Sequence, residues 1–207
     1  MKRFNNEFKT RLYSAIQDIE NNSLVEIVVI IKAASATYRE AYLWWGVIFA
    51  FLIDAFFMFS PAIYEVPTIF FGTILSFLVG FVIALQIDAV QRIVLSKKQL
   101  TKNAEIAARA IFQKGGIRHT NEKTGVLIYF SLFEKKAFIV PDRKVELSVP
   151  EKDMKILEEG FQSVFYADSM TEAILTQLKN CIPVFSNYVP PIENDINELP
   201  DDLDVDL

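Results

Sequence analysis

Two long apolar runs, residues 41–63 and 66–87, constrain this chain more than any other feature. The first, AYLWWGVIFAFLIDAFFMFSPAI, holds one charge, Asp54; the second, VPTIFFGTILSFLVGFVIALQI, holds none. Each is longer than the roughly 20 residues that cross about 30 Å of hydrocarbon at about 1.5 Å per residue. Half of the 18 phenylalanines fall between Phe49 and Phe81, so the apolar excess of the chain is local. The competing reading is a buried hairpin in a water-soluble protein. Two adjacent runs of this length are rarely buried in a protein of 207 residues. The pattern predicts a transmembrane hairpin over residues 41–90, with the lipid bilayer as its first partner.

Asp54 does not defeat the first span. A carboxylate at mid-membrane costs about 2.5–3.5 kcal/mol, while each Leu, Ile, Phe or Val contributes about −0.3 to −0.6. The first run holds 11 such residues, which together contribute on the order of −3 to −7 kcal/mol. Gly72, Ser76 and Gly80 recur every four residues on one helix face, as do Gly46, Ala50 and Asp54 on the other helix. Asp54 is therefore expected to face the second helix and bond Ser76 or Thr73. An ion or proton site lining an oligomeric pore is the functional alternative for Asp54. Lys32 and Arg39 precede the hairpin, Arg92, Lys97, Lys98 and Lys102 follow it, and the loop 60–67 has no Lys or Arg. The basic flanks place both termini in the cytoplasm. Tyr42, Trp44 and Trp45 stand where an interfacial aromatic belt belongs.

The remaining sequence alternates helical and strand patterns. Phe4, Phe8, Leu12, Ala15, Ile16 and Ile19 form a helical stripe, followed by the β-branched run LVEIVVII, which reads as a strand buried on both faces. Residues 33–40 are expected to continue into the first span as helix. After the hairpin, Leu100, Ala104, Ala107, Ala108, Ile111 and Phe112 predict a helix stopped at Gly115-Gly116. GVLIYFSLF and Ala137–Val140 predict two strands around a turn at Glu134-Lys135-Lys136, and alternating Val145, Leu147 and Val149 a short fourth. Pro150-Glu151 opens a helix with Met154, Leu157, Phe161 and Val164 inward. Ser169 to Glu172 is a capping box for a last helix, which Pro183 should limit. This order predicts an α/β domain, an αβα sandwich, in two pieces (1–34 and 91–189), interrupted by the hairpin (41–63 and 66–87) and followed by an acidic tail (190–207).

Composition excludes some functions. One cysteine, Cys181, allows no intramolecular disulfide, and one Cys with one His cannot build a zinc site of several such ligands. Residues 193–207 carry seven of the 26 acids and no Lys or Arg. The remainder holds 21 basic against 19 acidic residues, too weak a field to suggest nucleic acid. There is no Gly-x-Ser-x-Gly elbow, P-loop, Gly-x-Gly-x-x-Gly or His-Glu-x-x-His.

SLVEIVVIIK, followed by AARAIFQKGGIRHTNEKTGVLIYFSLFEKKAFIVPDRKV, resembles the TPM domain family. The matching positions are Glu26, Thr124, Gly125, Val126, Leu127, Ile128, Ser131, Lys135, Asp142 and Arg143, and the likeness spans roughly residues 5–200. The family's glycine after Asp-Arg is Lys144 here. The resemblance implies a Rossmann-like αβα sandwich, and a membrane-anchored form with its hairpin at this place. It implies members described as acid phosphatases or metal binders, and many without an assigned activity.

The candidate polar sites are few. Glu26, in an apolar strand, reads as a paired edge carboxylate or, functionally, an acid or metal ligand. Asp142 reads as a turn residue bonding its own backbone, or as a cation ligand at the carboxyl edge of the sheet. His119 reads as a surface histidine or a lone base. No catalytic residue follows from the sequence, and a divalent cation, Ca or Mg, is the only cofactor these acids suggest. The absent nucleophile motif and ligand set favour a membrane-tethered interaction or quality-control module, meeting other membrane proteins or itself. A metal-dependent phosphatase-like hydrolase is the alternative.

Overall fold

Strand-forming runs fix the frame of the chain. In the computed structural model, which describes residues 4–192 and 204–206, strand β1 covers Glu26–Lys32, β2 Gly125–Ser131 and β3 Lys136–Pro141. β1 and β2 run parallel in register Glu26 to Gly125 through Lys32 to Ser131, while β2 and β3 form an antiparallel hairpin. A three-residue strand β4, Asp204–Asp206, lies parallel to β1 on its other side, giving the order β3-β2-β1-β4. The chain divides into two compact units, one of Met1–Ser35 with Asn103–Leu207 and one of Ala36–Lys102.

The first unit is a mixed α/β structure with helices on both faces of the sheet. Side chains alternate across a strand, so Ile27, Val29 and Ile31 of β1 and Val126, Ile128 and Phe130 of β2 share one face. That face packs on helix α1 (Asn6–Glu20) through Leu12, Ile16 and Ile19, and on the later helices through Leu157, Phe161, Ile174 and Leu178. Val28, Ile30, Leu127 and Tyr129 share the opposite face with Ala108 and Phe112. These last two belong to the helix Lys97–Lys114, here α5, which follows the hairpin. The parallel strands are thus apolar from Ile27 to Ile31 and from Val126 to Phe130 because both faces are covered, as the unbroken runs predicted.

Three local expectations are corrected in this unit. Residues 145, 147 and 149 form no strand; Arg143–Ser148 is a short helix, α6. Val145 and Val149 are four apart, a spacing common to both periods, and both are buried, whereas Leu147 is exposed. Helix α7 spans Glu151–Ser163, and α8 spans Met170–Tyr188 straight through Pro183. An interior proline costs about 3 kcal/mol. Continuing the helix buries Phe185 and lets Val189 close the core, and each such side chain contributes about 1.5–3 kcal/mol. Residues 33–38 carry no helix, so the first helix of the hairpin starts only at Arg39.

The second unit holds helix α2, Arg39–Phe59, and helix α3, Val66–Gln86, both long and apolar enough to cross a membrane. α2 stops at Ser60, three residues short of the apolar run. The helices are not buried in a soluble core; Phe51 is 71% and Phe71 66% exposed, contrary to what a water-facing surface tolerates over such an area. They pack closely, because a Cβ on Gly80 would stand 2.6 Å from the Trp45 carbonyl oxygen. A further short helix, α4, Asp88–Val94, follows α3 and has no counterpart among the sequence expectations. It is pinned by the Trp45 indole N–H, which donates to the Val90 carbonyl at 2.7 Å. With this helix and the start of α5, the unit runs beyond residue 90 to Lys102.

Candidate functional site

Glu26 and Asp142 are both neighbours of Gly125. Glu26 faces it in register across β1 and β2, and the Asp142 N–H donates to the Gly125 carbonyl at 2.8 Å. Only glycine fits at this junction, since a Cβ would lie 2.2 Å from the Ile117 carbonyl oxygen. The two acids therefore sit at the edge where the parallel strands begin. Asp142 was expected at the carboxyl edge, but β3 is antiparallel, so its end lies beside the starts of β1 and β2.

Asp142 has a structural duty. It is the N-cap of α6, and its Oδ1 accepts from the Arg143 N–H at 2.7 Å. Its Oδ2 is buried without a hydrogen-bond partner. Lys144, where the family has glycine, is the second residue of that helix and pairs with Glu122 at 2.7 Å. It has no positive φ, so no glycine is required there.

Asp142 also lines a cleft of about 500 Å³ between α5 and β3. Its walls combine apolar Phe112, Phe138 and Val140 with charged Glu105, Arg109, Arg118, Glu146 and Glu158. Arg109 pairs with Glu105 at 3.0 Å, one turn apart on α5. Burial pushes the Glu158 carboxyl above the usual range, and the charges of Glu105 and Glu159 push it the same way. Glu26 is not part of these walls, so the cleft brings Asp142 to other acids but not to the expected one. Among the described residues, no three His, Cys, Asp or Glu side chains are placed to share a metal ion. The His119 side chain and the acids of residues 193–203 lie outside the described part.

A second polar cluster stands at the opposite edge, where β1 and β2 end. The Ser35 N–H donates to Glu134 Oε1 at 2.9 Å, and the Ser131 hydroxyl donates to Glu134 Oε2. The Ser35 hydroxyl donates to Ser131 Oγ at 2.7 Å and lies 2.8 Å from the Tyr129 hydroxyl. Ser35 has one hydroxyl proton and gives it to Ser131, so the Tyr129 hydroxyl must donate to Ser35. Tyr129, Ser131 and Glu134 are buried. Burial pushes the Tyr129 phenol up, the hydrogen bonds with Ser35 and Ser131 oppose this, and the Glu134 charge adds to it. The sequence pattern marks Glu134 only as a turn residue and does not single out Ser35. The available signal is an acid placed three residues past the end of a largely apolar strand, where a buried carboxylate needs donors.

In the hairpin, the Thr73 hydroxyl shares its one proton between Asp54 Oδ1 and the Ile69 carbonyl oxygen, the latter at 2.9 Å. Of the two partners expected for Asp54, Thr73 takes the bond. Ser76 lies three residues further along α3. Cys181 is buried in α8 and its thiol is pushed up to about 12 by that burial, which leaves it no nucleophilic role.

These features define a mixed α/β domain whose chain is interrupted by a hairpin of two helices long and apolar enough to cross a membrane. No family model matches the sequence, and no curated protein matches it. In fold it is similar to the BA42 protein from the psychrophilic bacterium Bizionia argentinensis, solved by NMR. The TM-score is 0.59 with 15% identity, over 97% of this chain and 94% of that one. At that identity the likeness is one of fold.

Proposed function

We propose that this chain is a two-span integral membrane protein whose termini and α/β domain, a Rossmann-like sandwich of the TPM kind, are cytoplasmic. Its role is to bind other membrane proteins, or further copies of itself, during their assembly or quality control, without catalysis. One observation carries the reading: the hairpin is inserted between β1 and β2, which are adjacent strands of one sheet. The domain therefore cannot leave the bilayer without unpairing its own core, so whatever it meets, it meets at the membrane. The cleft supports binding over turnover. Three of its charged side chains are engaged, Arg109 with Glu105 and Asp142 as the cap of α6, around an apolar wall.

Chemical cross-linking of native membranes, followed by purification of the tagged chain in detergent, tests this. The same membrane proteins, or cross-linked copies of the chain, should be recovered in independent preparations. A second reading, a metal-dependent phosphatase-like hydrolase using Ca or Mg, draws on the buried, unpartnered Asp142 Oδ2. Metal-dependent phosphate release that disappears in Asp142→Ala, with no recurrent partner recovered, would replace the first reading by the second.

A further inference from the structure

The outer edge of β1 presents main-chain groups in a defined order. On the inner side the Glu26 N–H donates to the Thr124 carbonyl at 3.3 Å, and the Leu132 N–H to the Lys32 carbonyl at 2.9 Å. Even-numbered residues of β1 thus bond β2, and the main-chain groups of Ile27, Val29 and Ile31 point to the outer edge. Such an edge is a template for another strand unless it is covered. Two devices cover it here. The Glu20 carboxylate accepts from the Ile27 N–H at 3.1 Å. At the other end, Asp204–Asp206 adds as a parallel strand with Val205 opposite Ile31. A residue in a parallel ladder bonds the two residues flanking its partner, so Ile31 is matched to the Asp204 carbonyl and the Asp206 N–H.

The strand that fits this edge comes from the chain's own C-terminus, and every copy carries one. Eleven residues separate Ile192 from Asp204, a stretch that reaches about 40 Å when extended. That length allows the strand to reach an edge on its own copy or on a neighbour.

We propose that the outer edge of β1 is a strand-acceptor site for the acidic C-terminal segment of a second copy, which exchanges with the copy's own segment. This rests on the self-association arm of the proposed function and names its contact. Exchange of an identical element is a low-cost route to dimers, and confinement of both copies to one bilayer raises their effective concentration.

The test uses the full chain in detergent, the full chain with Asp206→Pro, and a chain ending at Ile192. Proline removes the N–H that Ile31 requires, without truncation. A fluorescent peptide of residues 193–207 should bind the shortened chain, and the same peptide with Asp206→Pro should bind at least tenfold more weakly. Light scattering should show a concentration-dependent dimer of the full chain, reduced at least tenfold in association constant by Asp206→Pro. Equal binding of the two peptides, or none, overturns the acceptor site. Specific peptide binding with a full chain that stays monomeric overturns the second copy as occupant and leaves the segment as a guard on its own edge. Hydrogen exchange of the β1 amides shows that each variant is folded. Recovery of other membrane proteins by cross-linking is an independent readout, so failure here is distinct from failure of the broader reading.

Discussion

Replacing Glu134 by alanine should destabilise the α/β unit by about 2–4 kcal/mol, reasoned from one buried and one half-buried donor at about 1–3 kcal/mol each. The Ser35 N–H and the Ser131 hydroxyl both end on this carboxylate. The Ser35 N–H belongs to the backbone and cannot turn away. The Ser131 hydroxyl can reverse toward Ser35, but Ser35 must then accept a second proton or turn its own toward Tyr129, so the relay is broken rather than repaired. This partial relief sets the estimate below the full sum. Glu134→Gln keeps one acceptor oxygen and should cost about half as much. The assay is hydrogen exchange on the β1 and β2 amides of the full chain in detergent, where a 2–4 kcal/mol loss appears as roughly 30- to 800-fold faster exchange. Acceleration under about fivefold in Glu134→Ala, with Gln and Ala alike, would refute the cluster as a source of stability.

Three further outcomes follow from the same reasoning. The Tyr129 phenol is raised above its ordinary value of 10.0, so the folded state holds this proton more tightly than the unfolded one. Its contribution is fully present below pH 10 and lost as pH rises through the folded value; the alkaline unfolding midpoint of Tyr129→Phe should lie higher relative to its neutral stability than that of wild type. Gly80→Ala should lower the thermal midpoint of the hairpin, followed by Trp fluorescence, more than Gly46→Ala does. The added Cβ meets the Trp45 backbone carbonyl at 2.6 Å in the first case and the movable Phe77 ring at 2.7 Å in the second, and overpacking costs about 1–3 kcal/mol. Cys181, with its thiol pushed up to about 12, should resist maleimide at neutral pH until the chain is unfolded; rapid labelling of the folded chain would contradict its burial.

The sequence was most legible where one period dominated. LVEIVVII and GVLIYFS could only be strands with both faces covered, and they pair directly with each other although the hairpin and α5 lie between them. It misled where two periods coincide, as at Val145 and Val149, whose spacing suits strand and helix alike. At Pro183 a local breaker was outweighed by the burial of Phe185 beyond it. The short helix Asp88–Val94 offers too few residues for a pattern, and β4 lies in an acidic tail whose composition argues against any strand. Glu26 and Asp142 were legible as unusual acids, but their shared neighbour Gly125 depends on an antiparallel return that spacing does not reveal. Nothing in the sequence places Glu158 beside Glu105, because the two are joined only by packing around the cleft.

The central claim is that α2 and α3 cross a bilayer with the α/β domain on the cytoplasmic side. Single cysteines at Ala62, in the loop between the two helices, and at Asn187, near the end of α8, test it in a Cys181→Ser background. Intact cells are treated with a membrane-impermeant maleimide before and after permeabilisation. The account predicts that Ala62→Cys is labelled in intact cells and Asn187→Cys only after permeabilisation. Labelling of Asn187→Cys in intact cells, or protection of Ala62→Cys until the membrane is opened, would contradict it.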